Sequence, residues 1–346
     1  MGDILHALPA VTALRRAHPE WVIDWVVDPR WQALLRAEDS CGRGPGQPLV
    51  DHLHLAPTKE WRKSPGLRTL GQIRSLRAAL RAAEFDAVID LQGAIRSAAV
   101  ARMAGCRRVI GEAKPRETAA RWLFTERIAT RGAHVIEQDV ELVSAIAGDR
   151  LSAVQSLLPV DPAAEDWAAG VLPSKTGARG GDQPAVLINP GAGWGAKRWP
   201  VQRYDAVAQG FIDLGFRILV NAGPGEEKLA EVISRGTNGA AIPLSCTVAQ
   251  LIAVTRRVNL VVAGDTGPLH LACALGRPVV GIYGPTDPSR NGPFGVPFRV
   301  LRSPQSRRDH SHRDAPEAGL LTIQPDDVLA AVEALLYPET IPETNR

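Results

Sequence analysis

The sequence predicts an α/β chain built from two doubly wound parallel sheets, and three observations carry that prediction. Short apolar runs of strand length alternate with helical patterns along most of the chain. Turns rich in Gly, Pro, Asp and Asn close the apolar runs of the second half just ahead of the next helix. At 346 residues the chain also exceeds one ordinary core and has room for two domains of similar size.

In chain order, residues 1–10 (MGDILHALPA) read as a loop entering a helix that runs to about residue 17, with Asp3 placed to cap it. A doubly wound domain has a strand just before such a loop. None precedes it here, so the first strand is expected to be missing, through a start set too far downstream or a cut chain. Strands follow at 21–27 (WVIDWVV), 86–91 (DAVIDL) and 107–111. The second half repeats the rhythm, with strands at 185–189 (AVLIN), 216–221 (FRILVN), 259–263 (NLVVA) and 278–283 (PVVGIY). Helical patterns at 201–214, 226–234, 248–256 and 269–275 separate them, as expected of a parallel sheet covered on both faces. Residues 161–184 hold Pro162, Pro173 and the Gly-rich run 177–181, and mark the boundary. The expected domains are 1–165 and 166–324. A helix over 325–336 could pack on either of them, and a frayed tail begins at Pro338.

Composition narrows the class. Hydrophobic residues make up 45% and charged residues 22%, as in soluble globular proteins, and no run approaches a membrane span or a signal peptide. A cytosolic protein that can touch a membrane surface is expected. The net charge of +3 is unevenly spread: Lys59, Arg62, Lys63, Arg68, Arg74, Arg77 and Arg81 face only Glu60 within residues 59–81. Such a run is either a solvated helix face or a surface for an anionic partner. Nucleic acid is not expected, because the run has one aromatic, Trp61, and no recognition motif. Cys41, Cys106, Cys246 and Cys273 lack the spacing of a zinc site or a disulfide framework, and Cys273 falls on an expected buried helix face. His310 and His312 have no acidic or Cys companion and read as part of a solvated loop.

Three loops carry the chemistry. Gly264-Asp265-Thr266-Gly267 ends a strand and opens a helix with Pro268 in its first turn, so the N–H groups of Thr266 and Gly267 can meet an anion. His270, one turn on, either caps structure or donates to a phosphate oxygen. The loop 189–200 holds Gly191 and Gly193, which permit close backbone approach, and Lys197, which supplies charge. It is neither a P-loop nor the Gly-x-Gly-x-x-Gly fingerprint. The third loop, 221–227, places Glu226 or Glu227 at a helix start, as a dipole partner or as an acceptor for a ribose hydroxyl. Residues 284–288 (GPTDP) form a further tight turn on the same sheet edge.

Together the runs GDILHALPA from Gly2, DAVIDLQG from Asp86, KRWP from Lys197, GDTGPLH from Gly264 and YGPTDP from Tyr283 resemble glycosyltransferase family 9, in particular its lipopolysaccharide heptosyltransferase I type. The resemblance covers nearly the whole chain. It implies the GT-B fold, two Rossmann-like domains facing across a cleft, and transfer of a heptose from ADP-heptose to the Kdo of a lipid A precursor without a metal or other cofactor. It also implies work at the cytosolic face of the inner membrane. By the same resemblance Asp3 is the general base, Lys197 neutralises the diphosphate and Glu226 lies near the nucleoside. Asp265, Thr266, Gly267 and His270 form the donor cradle, with Gly191 and Gly193 beside it. Arg62, Lys63 and Arg116 hold the acceptor, the first two in a basic loop with Trp61. Pro268 departs from the family, which admits other apolar residues there, and removes one donor from the cradle.

An inverting transfer needs a base on the acceptor hydroxyl and positive charge where ADP leaves, and this inventory supplies both. Three other readings fit the same residues. They are a family relative with another sugar nucleotide or acceptor, a sugar-nucleotide epimerase that needs no acceptor, and a nucleotide-binding protein without turnover.

Overall fold

A computed structural model describes residues 1–173, 183–307 and 314–336. The Gly-rich run 177–181, His310, His312 and the tail from Pro338 lie outside the described residues. The chain divides into two compact units after Asp161.

The first unit has five strands: β1 (Asp24–Val27), β2 (His52–Leu55), β3 (Val88–Asp90), β4 (Val109–Glu112) and β5 (Glu126–Ile128). They form two parallel ladders, β1-β2 and β3-β4-β5. Both ladders lie on the same helices. Val26 and Val88 pack on Leu76, Leu80 and Val100, while Ile23 and Ile89 pack on Leu14, Val140 and Val143. Neither β1 nor β3 has a second ladder partner among the described residues. Helix Gly2–Ala17 is capped by Met1, so Asp3 lies inside its first turn rather than capping it. There its charge still faces the positive end of the helix dipole.

Among its described residues the second unit has six: β6 (Ala185–Asn189), β7 (Arg217–Asn221), β8 (Ile242–Leu244), β9 (Leu260–Gly264), β10 (Val279–Tyr283) and β11 (Phe298–Arg302). All pair in parallel in the order β11-β10-β9-β6-β7-β8. Counted within the unit this is the 3-2-1-4-5-6 order of dinucleotide folds, with the reversal point between β6 and β9. The four central strands are apolar through their middles because helices cover both faces, with Asn189 and Asn221 at the ends of β6 and β7. On one face Ile188, Val220, Val262 and Ile282 meet Tyr204, Val207 and Phe211 of helix Val201–Asp213 and Val328 and Val332 of helix Pro325–Leu336. Each such burial is worth roughly 1.5–3 kcal/mol. The ladders of the first unit match the 3-2 and 4-5-6 portions of this order, and the place that β6 holds has no counterpart there among the described residues.

The boundary helix Pro162–Val171 goes with the second unit, where Glu165 pairs with Arg256 at 2.6 Å and with Arg257 at 3.6 Å. Residues 162–165 therefore leave the first domain in which the sequence placed them. Helix Pro325–Leu336 also packs within the second unit, and Gly210 makes room for it: a Cβ there would stand 2.7 Å from Leu329.

Candidate active site

The reversal point of the second unit gathers Lys197, Asp265 and His270. β6 ends in Asn189, and the chain turns through 190–194 into a 3-10 turn, Gly195–Lys197. β9 ends in Gly264, followed by Asp265 and by helix Gly267–Ala274 with Thr266 in extended conformation as its cap residue. Lys197 Nζ pairs with Asp265 Oδ2, and His270 Nε2 stands 3.3 Å from Asp265 Oδ1. All three side chains are less than a tenth exposed. Burial pulls the Asp265 carboxyl up, but the His270 hydrogen bond and the Lys197 charge outweigh it and hold the group well below the usual carboxylate range. The same negative charge, added to burial, keeps Tyr283 well above the ordinary phenol value and neutral.

Trp194 lies over Lys197, with Nζ 4.2 Å from the ring centroid, a cation–π contact that holds the ammonium beside the cradle. At the start of helix Gly267–Ala274 the Leu269 and His270 N–H groups donate to the Thr266 carbonyl and Pro268 has none, which leaves the N–H groups of Thr266 and Gly267 ahead of the helical ladder. Thr266 Oγ1 donates back to the Gly264 carbonyl rather than capping them. A helix start with open donors, beside a lysine held at the reversal point of a parallel sheet, is an arrangement suited to a diphosphate. The Gly284 turn abuts it, since a Cβ at Gly284 would stand 3.3 Å from the Ala196 carbonyl. Two residues on, the buried Thr286 hydroxyl has no partner among the described residues.

Glu226 belongs to the same edge. It caps helix Glu227–Gly236 by position, but its side chain turns to the β6 loop, where Oε1 accepts from the Ala192 N–H at 3.2 Å. Gly191 is obligatory for that approach, because a Cβ would fall 2.0 Å from Glu226 Oε2. Gly193 is exposed and its Cβ position is open, so packing does not require glycine there. Glu227 stays local and accepts from the Gly225 N–H at 2.9 Å.

A separate group forms in the first unit. Asp3 Oδ2 accepts from Gln92 Nε2 at 2.7 Å and lies 3.6 Å from Arg116 Nη1. Both ion-pair partners are about half exposed or more, so a solute can reach them. Arg62 and Lys63 are exposed, but the segment is a helix, Thr58–Lys63, rather than the loop that the sequence suggested. Trp61 anchors it by packing beside Leu76 and Leu80 and donating to Gln72 Oε1 at 2.9 Å. Arg116 comes to Asp3, and no hydrogen bond or ion pair among the described residues joins Arg62 or Lys63 to it.

Two residues with a place in these groups were not among the sequence candidates. Trp194 is the one aromatic in a run of glycines ahead of Lys197, and Gln92 is the one amide in the run DLQG that follows β3. Among the described residues no three His, Cys, Asp or Glu side chains gather as a metal site requires. No helix among them is long and apolar enough to cross a membrane. Cys273 as a whole residue is partly buried, and burial of its thiol pushes it up to about 11. At neutral pH it is therefore a neutral thiol.

Comparison with known proteins agrees with this geometry. A sequence profile of glycosyltransferase family 9 (heptosyltransferase) matches residues 73–320. Lipopolysaccharide heptosyltransferase 1 of Escherichia coli (strain K12) is 29% identical over 316 residues, covering 88% of this chain and 91% of that protein. The structure of E. coli heptosyltransferase WaaC with ADP is similar with a TM-score of 0.76 at 26% identity, over 96% of each chain. The structure of the same protein with ADP-2-deoxy-2-fluoro heptose gives 0.73 at 26% identity. The fold is thus of the GT-B type expected from the sequence. With the profile spanning well over half of its length, the chain belongs to glycosyltransferase family 9 and is a glycosyltransferase.

Proposed function

We propose that this chain moves a heptose from ADP-heptose to the Kdo of a lipid A precursor, with inversion and without a metal, at the cytosolic face of the inner membrane. The observation that carries the reading is the cluster of Lys197, Asp265 and His270 at the reversal point of the sheet, beside the open start of helix Gly267–Ala274. The relatives named for heptosyl transfer to lipopolysaccharide support the choice of sugar and acceptor.

In this reading the acceptor hydroxyl attacks the anomeric carbon from the face opposite the diphosphate. Asp3 takes the hydroxyl proton, through the oxygen that Gln92 does not occupy, as the new glycosidic bond forms. The bond between the anomeric carbon and the diphosphate oxygen breaks, and ADP leaves with the electron pair. Lys197 and the N–H groups of Thr266 and Gly267 stabilise the charge that develops there. Asp265 and His270 hold Lys197 in place, and Glu226, supported by Gly191, accepts from a ribose hydroxyl. Gly193 lets the backbone approach the diphosphate.

Arg116, Arg62 and Lys63 would hold acceptor phosphates and carboxylates. Helix Leu67–Ala82 adds Arg68, Arg74, Arg77 and Arg81 on its exposed side, and Leu67 and Leu70 are 88% and 50% exposed at its start. Basic side chains flanking exposed leucines suit the headgroup region of an anionic bilayer.

The test is ADP release from ADP-heptose with and without Kdo-lipid A, in the parent chain and in Asp3→Asn and Lys197→Ala. Acceptor-dependent release that both variants lose is the expected result. ADP binding without release would point to another sugar nucleotide, and release without acceptor would favour hydrolysis or epimerisation.

A further inference from the structure

The loop after β3 is fastened unusually well for a surface turn. The Asp90 side chain, 5% exposed, turns back beneath it: Oδ1 accepts from the N–H groups of Gln92 and Gly93 at 2.9 and 3.1 Å, and Oδ2 accepts from Ser97 Oγ at 2.8 Å. Burial pushes the Asp90 carboxyl up despite these three bonds. Gly93 has φ +64°, where glycine is strongly favoured, and a Cβ on it would stand 3.0 Å from the Arg116 backbone nitrogen. The loop is tied to that second segment twice, by Glu117 N–H to the Gly93 carbonyl at 2.9 Å and by Ile95 N–H to Glu117 Oε2 at 2.8 Å.

Both neighbours of the Asp3 carboxylate therefore hang on one clamp, Gln92 from the loop itself and Arg116 from the segment fastened to it. We infer that Gln92 is a positioning residue for the transfer: held by Asp90, its amide fixes Asp3 Oδ2 by a 2.7 Å bond and presents the other oxygen, Oδ1, to the acceptor hydroxyl. This inference rests on Asp3 being the base. An amide suits the task chemically. It is a donor that no pH change in the working range can switch, and unlike a second arginine it does not add a further cation beside a carboxylate that must accept a proton. The exposed Asp3 side chain would otherwise sample several rotamers, and a misplaced base is a poor one.

The experiment is a double-mutant cycle on acceptor-dependent ADP release with ADP-heptose and Kdo-lipid A, using Gln92→Ala, Gln92→Glu, Asp3→Asn and Asp3→Asn with Gln92→Ala. Gln92→Ala is expected to lower kcat roughly 10- to 100-fold, the scale of a misplaced catalytic group, with the KM for ADP-heptose little changed. Gln92→Glu, equal in shape but with no amide donor, is expected to fall at least as far. In the Asp3→Asn background the alanine change is expected to cost nothing further. Additive losses, or a Gln92→Ala enzyme with the parent kcat, would overturn the inference while leaving Asp3 as base. An active Asp3→Asn enzyme would remove the base assignment and the positioning role with it. Gln92 is chosen over Asp90 because the backbone bonds that hold the loop do not use its side chain. A melting temperature close to the parent's is therefore expected for Gln92→Ala, and a large drop accompanied by a raised KM for ADP-heptose would mark a merely structural role.

Discussion

Replacing Lys197 by alanine separates two jobs that the same buried cluster performs. Its side chain is 9% exposed and that of Asp265 is 8%, so losing the lysine leaves a carboxylate away from water with His270 as its remaining ion-pair partner. Breaking a buried pair in this way costs about 3–5 kcal/mol. For a unit of this size that corresponds to a melting temperature lower by about 6–20 °C. The sign with pH follows from Asp265. In the parent, burial raises its carboxyl, and His270 and Lys197 together lower it further than that. Its folded value is thus below the unfolded one. The resulting stabilisation is present above the ordinary carboxylate value of about 3.9 and is lost as pH falls through the folded value. Without Lys197 the balance shifts towards burial. The gap between variant and parent should be widest near neutrality and should narrow on acidification towards the carboxylate range, as protonation relieves the stranded charge. Calorimetry across that range reads the gap, and ADP release reads the chemistry, where the loss expected for removing charge stabilisation is about 10²–10³ in kcat. Changing Lys197→Met and Asp265→Asn together should restore much of the melting temperature, since neither charge is then stranded, while leaving the rate low. A Lys197→Ala variant that melts with the parent, or a gap indifferent to pH, would refute the buried pair. Undiminished turnover would refute the role at the diphosphate.

Other consequences can be checked independently. Gly191→Ala should weaken ADP binding in calorimetric titration by displacing Glu226, whose Oε2 lies 2.0 Å from the new Cβ, whereas Gly193→Ala, open to 4 Å, should leave the melting temperature unchanged. Sedimentation with phosphatidylglycerol vesicles should capture the protein and phosphatidylcholine vesicles should not. Added salt should weaken capture, Leu67→Asp with Leu70→Asp should lose most of it, and capture of the variant at parent levels would exclude this helix as the contact. Amide exchange should be faster on β1 and β3, each bonded to one neighbour, than on β6 and β9, each bonded to two, and equal protection would show that the first unit's ladders are closed in solution.

How much of this was legible in the sequence depended on burial. β6, β7, β9 and β10 are apolar runs because both their faces are covered, and the sequence shows them within a residue or so. The strands that escaped, β2, β5, β8 and β11, are all at ladder edges. His52–Leu55 alternates His with Leu and is half exposed, Ile242–Leu244 carries Pro243, which an edge tolerates, and Phe298–Arg302 has an exposed first half. An edge strand need not be an apolar run, so these four leave a weaker mark on composition than β1 and β3, which also end ladders but lie within the apolar runs 21–27 and 86–91.

The same distinction explains why the two groups of site residues differ in legibility. Anion binding at a parallel sheet is local in sequence: a strand end, a glycine turn and a helix start supply it within a dozen residues, so Asp265, Thr266, Gly267 and His270 stand out together. Orienting a base is not local. Asp3, the Asp90–Gln92 loop and Arg116 come from three places in the chain, and their meeting depends on the bonds from Gly93 and Ile95 to Glu117. The run DLQG looks like the end of any strand until the fold shows that its Asp is buried beneath the loop and its Gln reaches a carboxylate 89 positions away in the chain. The local half of the chemistry therefore tolerates little change at single positions. The distributed half depends on side chains that the clamp only carries, so an exchange such as Gln92→Ala should lower the rate even with the clamp intact, and the cycle between Asp3 and Gln92 measures that dependence directly.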